Sequence, residues 1–251
     1  MDADEFYSRL IDKLEEYVKD NTEYKDLFKA MFGGLNVDEL LFKECGHKRE
    51  NEFFFNSIQL QVSGKRSLEE SLSSYVKGEM MEGNNSIFCE ECKKKIPALK
   101  RQSIKYLPNK LVLVLKRFEF DYDNMVKYKL NDYFEFPNEL DMFPYTQEYM
   151  NNNSIKKQKM YDLNGVVIHV GTSESGHYYS LIKDPSSKEE DTWYEFNDTN
   201  VKPFDIDNLA RDAFGGTEEI FNRETKKKEV VDKNENGTES HSIGNIISAD
   251  E

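Results

Sequence analysis

GVVIHVGTSESGHYYSLIKD (residues 165–184), an acidic loop and WYEFND (residues 193–198) form the stretch from which the rest of the chain is read. Val166 to Val170 is rich in β-branched residues, GTSESG is a turn bounded by Gly171 and Gly176, and YYSLIK and TWYEF are aromatic and aliphatic runs of strand character. The pattern predicts a three-stranded antiparallel meander. With a loop over Asp184–Glu190, Lys183 pairs with Asp191, which sets Tyr178 opposite Phe196 and His177 opposite Asn197. Directly opposed residues have Cβ atoms roughly 4.5–5.5 Å apart, so an imidazole meets a carboxamide at the strand ends, beside a glycine-bounded loop. This is how an orienting group is placed behind a catalytic base. Taken singly, a His that opens a strand is an ordinary surface or core residue, and Asn197 and Asp198 are ordinary turn residues.

Around this stretch, 251 residues leave room for one large domain or two small ones. Acidic residues outnumber basic ones by 48 to 34, for a net charge of −14. Such a surface repels nucleic acid and anionic membranes and favours basic partners. No apolar run is long enough to span a bilayer, and MDADEFY does not open a signal peptide. The expectation is a soluble, intracellular protein of the cytoplasm, the nucleus or both. Three cysteines, two of them in a CxxC, suit metal binding in a reducing compartment better than a disulfide frame.

Residues 3–19 read as a helix, because Ala3, Phe6, Leu10, Leu14 and Tyr17 recur at three- and four-residue steps, with Tyr7, Ile11 and Val18 widening the face. Asp2, Asp4 and Glu5 complement the dipole at its start. Ile58, Leu60 and Val62 alternate as a half-buried strand, and Ser67-Leu-Glu-Glu70 is a capping box that opens a helix through Leu72, Tyr75 and Val76. In FCEECKKK, Cys89 and Cys92 form a tight knuckle that offers zinc two thiolates without strain. Cys45 and His47 can complete a Cys₃His set; the alternatives are a degenerate site held by packing alone and, less in keeping with the context, redox chemistry at the CxxC. Leu111 to Leu115 is a continuous apolar run, the mark of a central strand. Residues 144–161, polar and Asn-rich, read as an exposed loop. Residues 222–251 lack aromatic residues and have the composition of a disordered tail.

HxGxxxxGHYxS over His169–Ser180, followed by WYxFND, resembles the histidine box of the ubiquitin-specific proteases, the cysteine peptidases that remove ubiquitin. LPxxLxLxLKRFxFD at 107–121 and KLNDYFEFP at 129–137 resemble the family's palm strands, and GNNSIFCEECKKKIPALKRQSIKYLP at 83–108 resembles its fingers. The likeness extends over about residues 2–221. It implies an α+β fold of papain-like thumb–palm–fingers architecture with an antiparallel palm sheet. The end of the thumb would lie at 1–32, the fingers at about 33–107 and the palm at about 108–221, before the tail at 222–251.

The resemblance also implies site residues. His177 would be the catalytic base and Asn197 its orienting partner; Asp198 would support the oxyanion region or a bound water, or serve only as a turn residue. Asp2 and Glu5 would hold the arginines of ubiquitin's tail, with Gly171 and Gly176 letting the turn before His177 adopt positive φ and swing near that tail. Zinc would sit on Cys45, His47, Cys89 and Cys92, although Phe42 stands where the family has its first finger cysteine. Ubiquitin and ubiquitinated proteins are the implied partners. The family's cysteine box precedes the first helix, and neither it nor the closing palm strand is recognised here. The function expected is that of a deubiquitinating domain lacking its nucleophile, hence inactive alone; the alternatives are a ubiquitin-binding pseudoenzyme and a zinc-stabilised structural module.

Overall fold

The Gly165–Lys183 hairpin forms the middle of a sheet in the computed structural model, which describes residues 3–187, 192–222, 227–232 and 242–248, with backbone alone from 217 onward. With strands numbered in chain order, this sheet runs β15 (Asn200–Phe204), β14 (Trp193–Asn197), β13 (Gly176–Lys183), β12 (Met160–Gly171), β18 (Ser242–Ser248), β8 (Lys110–Lys116) and β3 (Ile58–Gln61), and β11 (Glu139–Asp141) also pairs with β12. All pairs are antiparallel except β3 with β8. The meander expected from the sequence is β12–β13–β14. Leu111 to Leu115 of β8 are all buried, as befits a strand covered on both faces. Helix α3 (Leu68–Val76) packs across β3. Its cap is as expected at Ser67, whose Oγ accepts from the Glu70 N–H at 3.2 Å, while the Glu70 carboxylate reaches back to the Arg66 N–H.

A second, four-stranded sheet has the order β2 (Lys48–Phe55), β1 (Gly34–Phe42), β7 (Ala98–Tyr106), β4 (Glu79–Met81). The short hairpin of β5 (Ile87–Cys89) and β6 (Lys94–Ile96) precedes β7, and β9 (Phe118–Asp121) with β10 (Val126–Lys129) forms another hairpin after β8. One large apolar core joins Leu60, Leu72, Leu113, Phe134, Ile168 and Trp193, and a small separate one holds Phe42, Cys89, Ile96 and Ala98. This mixture of helices and antiparallel sheets is the α+β fold expected.

Four local expectations change. Lys183 pairs with Trp193 rather than Asp191, which lies outside the described residues, and Phe196 faces Ser180 rather than Tyr178. The loop is two residues longer than supposed, with the Asp184 N–H bonded to the Thr192 carbonyl at its neck. Helix α1 (Ala3–Val18) buries Ile11 and half-buries Tyr7, Leu14 and Val18, while Phe6, Leu10 and Tyr17 are exposed. The residues read as widening the face, Tyr7, Ile11 and Val18, all pack, whereas of the face read as primary only Ala3 and Leu14 do. Within 144–161, α4 (Gln147–Asn151) forms under a Thr146 cap, and Tyr161 is buried with its hydroxyl donating to the Pro108 carbonyl at 2.6 Å. Finally, the stretch read as a disordered tail includes β18, seated between β12 and β8, and β17 (Lys227–Asp232), paired with β16 (Thr217–Asn222). A slot between two strands supplies backbone partners on both sides, which composition cannot reveal.

Candidate functional site

His177 opens β13 and Asn197 closes β14. Extending the observed register places Asn197 level with Tyr179, so His177 and Asn197 are diagonal neighbours rather than direct opposites; a shift by two keeps both on the same face. Their side chains meet, with His177 Nε2 2.7 Å from Asn197 Oδ1. A carboxamide oxygen only accepts, so Nε2 carries the proton and Nδ1 is the basic nitrogen of the ring. The Asp198 carboxylate lies 3.8 Å from Nε2, too long for a hydrogen bond. Asp198 itself occupies the tight turn into β15 at φ +52°, a left-handed conformation that short polar residues tolerate.

The turn before His177 uses its two glycines differently. Gly171 has φ +103°, the positive value expected. Gly176 has no such φ; it is needed for room, because a Cβ there would lie 2.1 Å from the Val170 carbonyl oxygen and 2.2 Å from His169 Nε2. His169 is a residue that sequence reasoning passed over, although it lies within the HxG of the histidine box. It is buried, and Lys129 from KLND reaches its Nδ1 at 2.8 Å. Burial, then the charges of Lys129 and His177, hold the His169 ring down at about 4, while burial and the charge of Arg117 bring the Lys129 amine to about 7. Arg117 is buried too, donating to the carbonyls of Leu130, Asp132 and Phe214 and so tying the segment after β10 to the end of α5 (Leu209–Ala213).

At the tip of the second sheet Cys45, His47, Cys89 and Cys92 converge, their ligand atoms all within 4.8 Å of one another. Each pair is turned by one left-handed residue: Gly46 at φ +69° between Cys45 and His47, and Lys93 at φ +54° after Cys92. The edges test the fit to zinc. Bonds of about 2.3 Å to sulfur and 2.0–2.1 Å to nitrogen in a tetrahedron require S···S near 3.8 Å and S···N near 3.6 Å. Cys45 Sγ to Cys89 Sγ is 3.8 Å, and His47 Nδ1 lies 3.6 Å from both Cys89 Sγ and Cys92 Sγ. The set fits a closed structural zinc site. Burial pushes the Cys89 thiol up, but the Cys92 N–H, His47 and the Glu91 N–H outweigh it and leave it at about 6, while Cys45, burial and Cys89 push the Cys92 thiol up to about 11. Phe42, in place of a ligand, is buried beside the cluster, and its backbone closes the turn that carries Cys45 and His47. Lys93, Lys94 and Lys95 are exposed, as expected of a solvated face.

The structure thus brings His177, Asn197 and Asp198 together, and separately Cys45, His47, Cys89 and Cys92. All three cysteines lie in the second group. Glu5, on the exposed side of α1, pairs with Arg9 at 2.6 Å, and Asp2 lies outside the described residues. No helix among the described residues is long and apolar enough to cross a membrane.

The model of the family "Ubiquitin carboxyl-terminal hydrolase" matches residues 1–233. Human ubiquitin carboxyl-terminal hydrolase 24 is 38% identical over 240 residues, taking in 86% of this chain and 9% of that protein. Human ubiquitin carboxyl-terminal hydrolase 9Y is 34% identical over 253 residues, 90% of this chain and 10% of that one. The chain therefore spans about a tenth of the length of these curated relatives. Among solved structures, Ubp8 in the SAGA DUB module bound to ubiquitin aldehyde is similar with a TM-score of 0.75 and 26% identity, over all of this chain and 50% of Ubp8.

Proposed function

The chain belongs to the ubiquitin carboxyl-terminal hydrolase family, and on that premise we propose that it supplies the acid–base half of a deubiquitinating cysteine peptidase. The observation that carries this reading is the 2.7 Å bond from His177 Nε2 to Asn197 Oδ1. With Nε2 committed, Nδ1 takes the proton of a cysteine thiol; the thiolate attacks the carbonyl of the bond after ubiquitin's terminal glycine, and Nδ1–H returns the proton to the departing amine. Water then cleaves the thioester by the same proton route. Asn197 is neutral and acts by orientation, while Asp198 adds a favourable charge 3.8 Å away.

The nucleophile is none of Cys45, Cys89 and Cys92, which gather as metal ligands, so residues 1–251 alone bind without turnover. That same observation favours a second reading, a ubiquitin-binding domain with no activity at all. Partners are ubiquitin and ubiquitinated proteins in the cytoplasm, the nucleus or both, and neither nucleic acid nor membrane. The net charge of −14 suits an arginine-bearing tail, with Glu5 in the first turn of α1, Asp2 three residues before it in the sequence, and Gly171 and Gly176 at the turn as its contacts. The fingers, palm and end of the thumb follow the two sheets and α1.

Calorimetric titration of residues 1–251 with ubiquitin tests the binding. Glu5→Ala is expected to weaken it, and the loss is expected to shrink at high salt, where exposed charges are screened. No heat of binding at any salt concentration would contradict the reading, and an unchanged affinity would return Glu5 to its role at the helix start.

A further inference from the structure

Lys129 ends the β9–β10 hairpin, yet its ammonium turns into the palm and places its donors on β12. Nζ lies 2.8 Å from His169 Nδ1, 2.9 Å from the His169 carbonyl oxygen and 3.2 Å from that of Gly171. None of the three acceptors is a carboxylate. An ammonium only donates, so Nδ1 of His169 accepts and the ring's proton sits on Nε2. That nitrogen edge is where the chain leading to His177 rests: a Cβ on Gly176 would come 2.2 Å from His169 Nε2 and 2.6 Å from Cε1. The ring is held sideways as well, by Phe118 edge-on at 5.3 Å and by Tyr178 at 4.6 Å between centroids. A second tie joins the same two segments, since Ser173 Oγ donates to the Lys127 carbonyl at 2.8 Å.

We propose that Lys129 is a positioning residue for His177. It locks the His169 ring and the two carbonyls at the mouth of the Gly171–Gly176 turn, and the locked ring is the surface on which the backbone entering His177 is set. Lys129 acts through His169 and touches no reacting atom. The proposal rests on the reading of His177 as the base. Burial, Lys129 and His177 together hold His169 at about 4, so the ring is neutral above that value, and its tautomer is fixed while Lys129 keeps its charge, below about 7.

Only four histidines, at 47, 169, 177 and 241, make ¹⁵N-imidazole NMR of the whole chain practicable. Wild-type protein is expected to show His169 and His177 both protonated on Nε2. In Lys129→Met, loss of the neighbouring positive charge is expected to raise the His169 titration midpoint by about one pH unit. In the same variant, the His177 ring and the amides of 172–177 are expected to shift and broaden, while amides of β3 and β8 keep their positions. Lys129→Arg, which retains charge and donors, is expected to move the His177 signals back toward wild type. His177 and turn resonances that do not move in Lys129→Met would overturn the proposal. Should that variant not fold, wild-type protein decides: NOEs from Lys129 Hε to the His169 ring and from His169 to Gly176 Hα are expected, and their absence overturns it. A wild-type His177 protonated on Nδ1 would instead contradict the base reading, a result separable from whether Lys129 holds the turn.

Discussion

Removing the metal from the four-ligand cluster is expected to unfold the tip of the second sheet and leave the large sheet intact. The tip, Ile87–Ile96, is a hairpin of three residue pairs, too short to persist alone in water. Ordering its roughly ten residues costs on the order of 10–20 kcal/mol of backbone entropy. Burial of Phe42 and Ile96, the two large apolar side chains of its small core, returns about 3–6 kcal/mol. A structural zinc site is worth about 10–16 kcal/mol, which closes the difference and is therefore indispensable to the tip. Hydrogen exchange followed by mass spectrometry, with and without chelator, reads this directly. Peptides over 43–48 and 87–96 are expected to lose protection with chelator, while those over β8 and β12 do not change. About one zinc per chain is expected in fresh, reduced protein. Unchanged protection at 87–96 under chelation, or protein without metal, would refute the reasoning and leave packing as the sole support of the tip.

Phe42→Ala is expected to lower stability by about 3 kcal/mol in denaturant titration, the cost of emptying a buried aromatic site, while the protein still binds zinc. Arg117→Ala strips donors from the Leu130, Asp132 and Phe214 carbonyls, and at about 1–3 kcal/mol for each buried acceptor it is expected to cost several kcal/mol and lower Tm markedly. Glu39, buried, is raised by burial but held lower on balance by Arg101, Gln147 and Ser103. Its folded pKa being depressed, it stabilises the protein above the ordinary carboxylate value, and that stability is lost as pH falls through its folded value. Glu39→Gln is expected to flatten this acid limb in Tm against pH.

The meander was legible because alternation and bounding glycines are local signals: Val166 to Val170, Gly171 and Gly176 mark strand, turn and strand within a few residues. Its register was not, since the length of the loop after Lys183 follows from the Asp184–Thr192 closure, which no propensity records. The error of two residues spared the site, because faces repeat with period two and His177 kept its side of the sheet. Ligand identity at the zinc cluster was readable from thiol and imidazole chemistry, and its geometry came from Gly46 and Lys93. Lys129 and His169 were harder to find. A lysine near the end of an exposed hairpin reads as a surface charge, and only the third dimension brings it to a ring forty residues away. Similarly, SIGNIIS at 242–248 is a short apolar run in a polar context, and its place between β12 and β8 is a tertiary fact. Helix α1 was found with its ends nearly right but its packed face turned, because Tyr7–Ile11–Val18 packs together with Ala3 and Leu14 while Phe6–Leu10–Tyr17, an equally good stripe, is exposed.

The central claim is that His177, oriented by Asn197, serves a cysteine that is none of the three in residues 1–251. Ubiquitin carrying an electrophile at its C-terminus tests this in one gel. No adduct is expected with residues 1–251 alone, and one is expected when a segment bearing the family's cysteine is joined to the chain. That adduct is expected to vanish in His177→Ala and only to slow in Asn197→Ala. An adduct on Cys45, Cys89 or Cys92, or one indifferent to His177→Ala, would contradict the account.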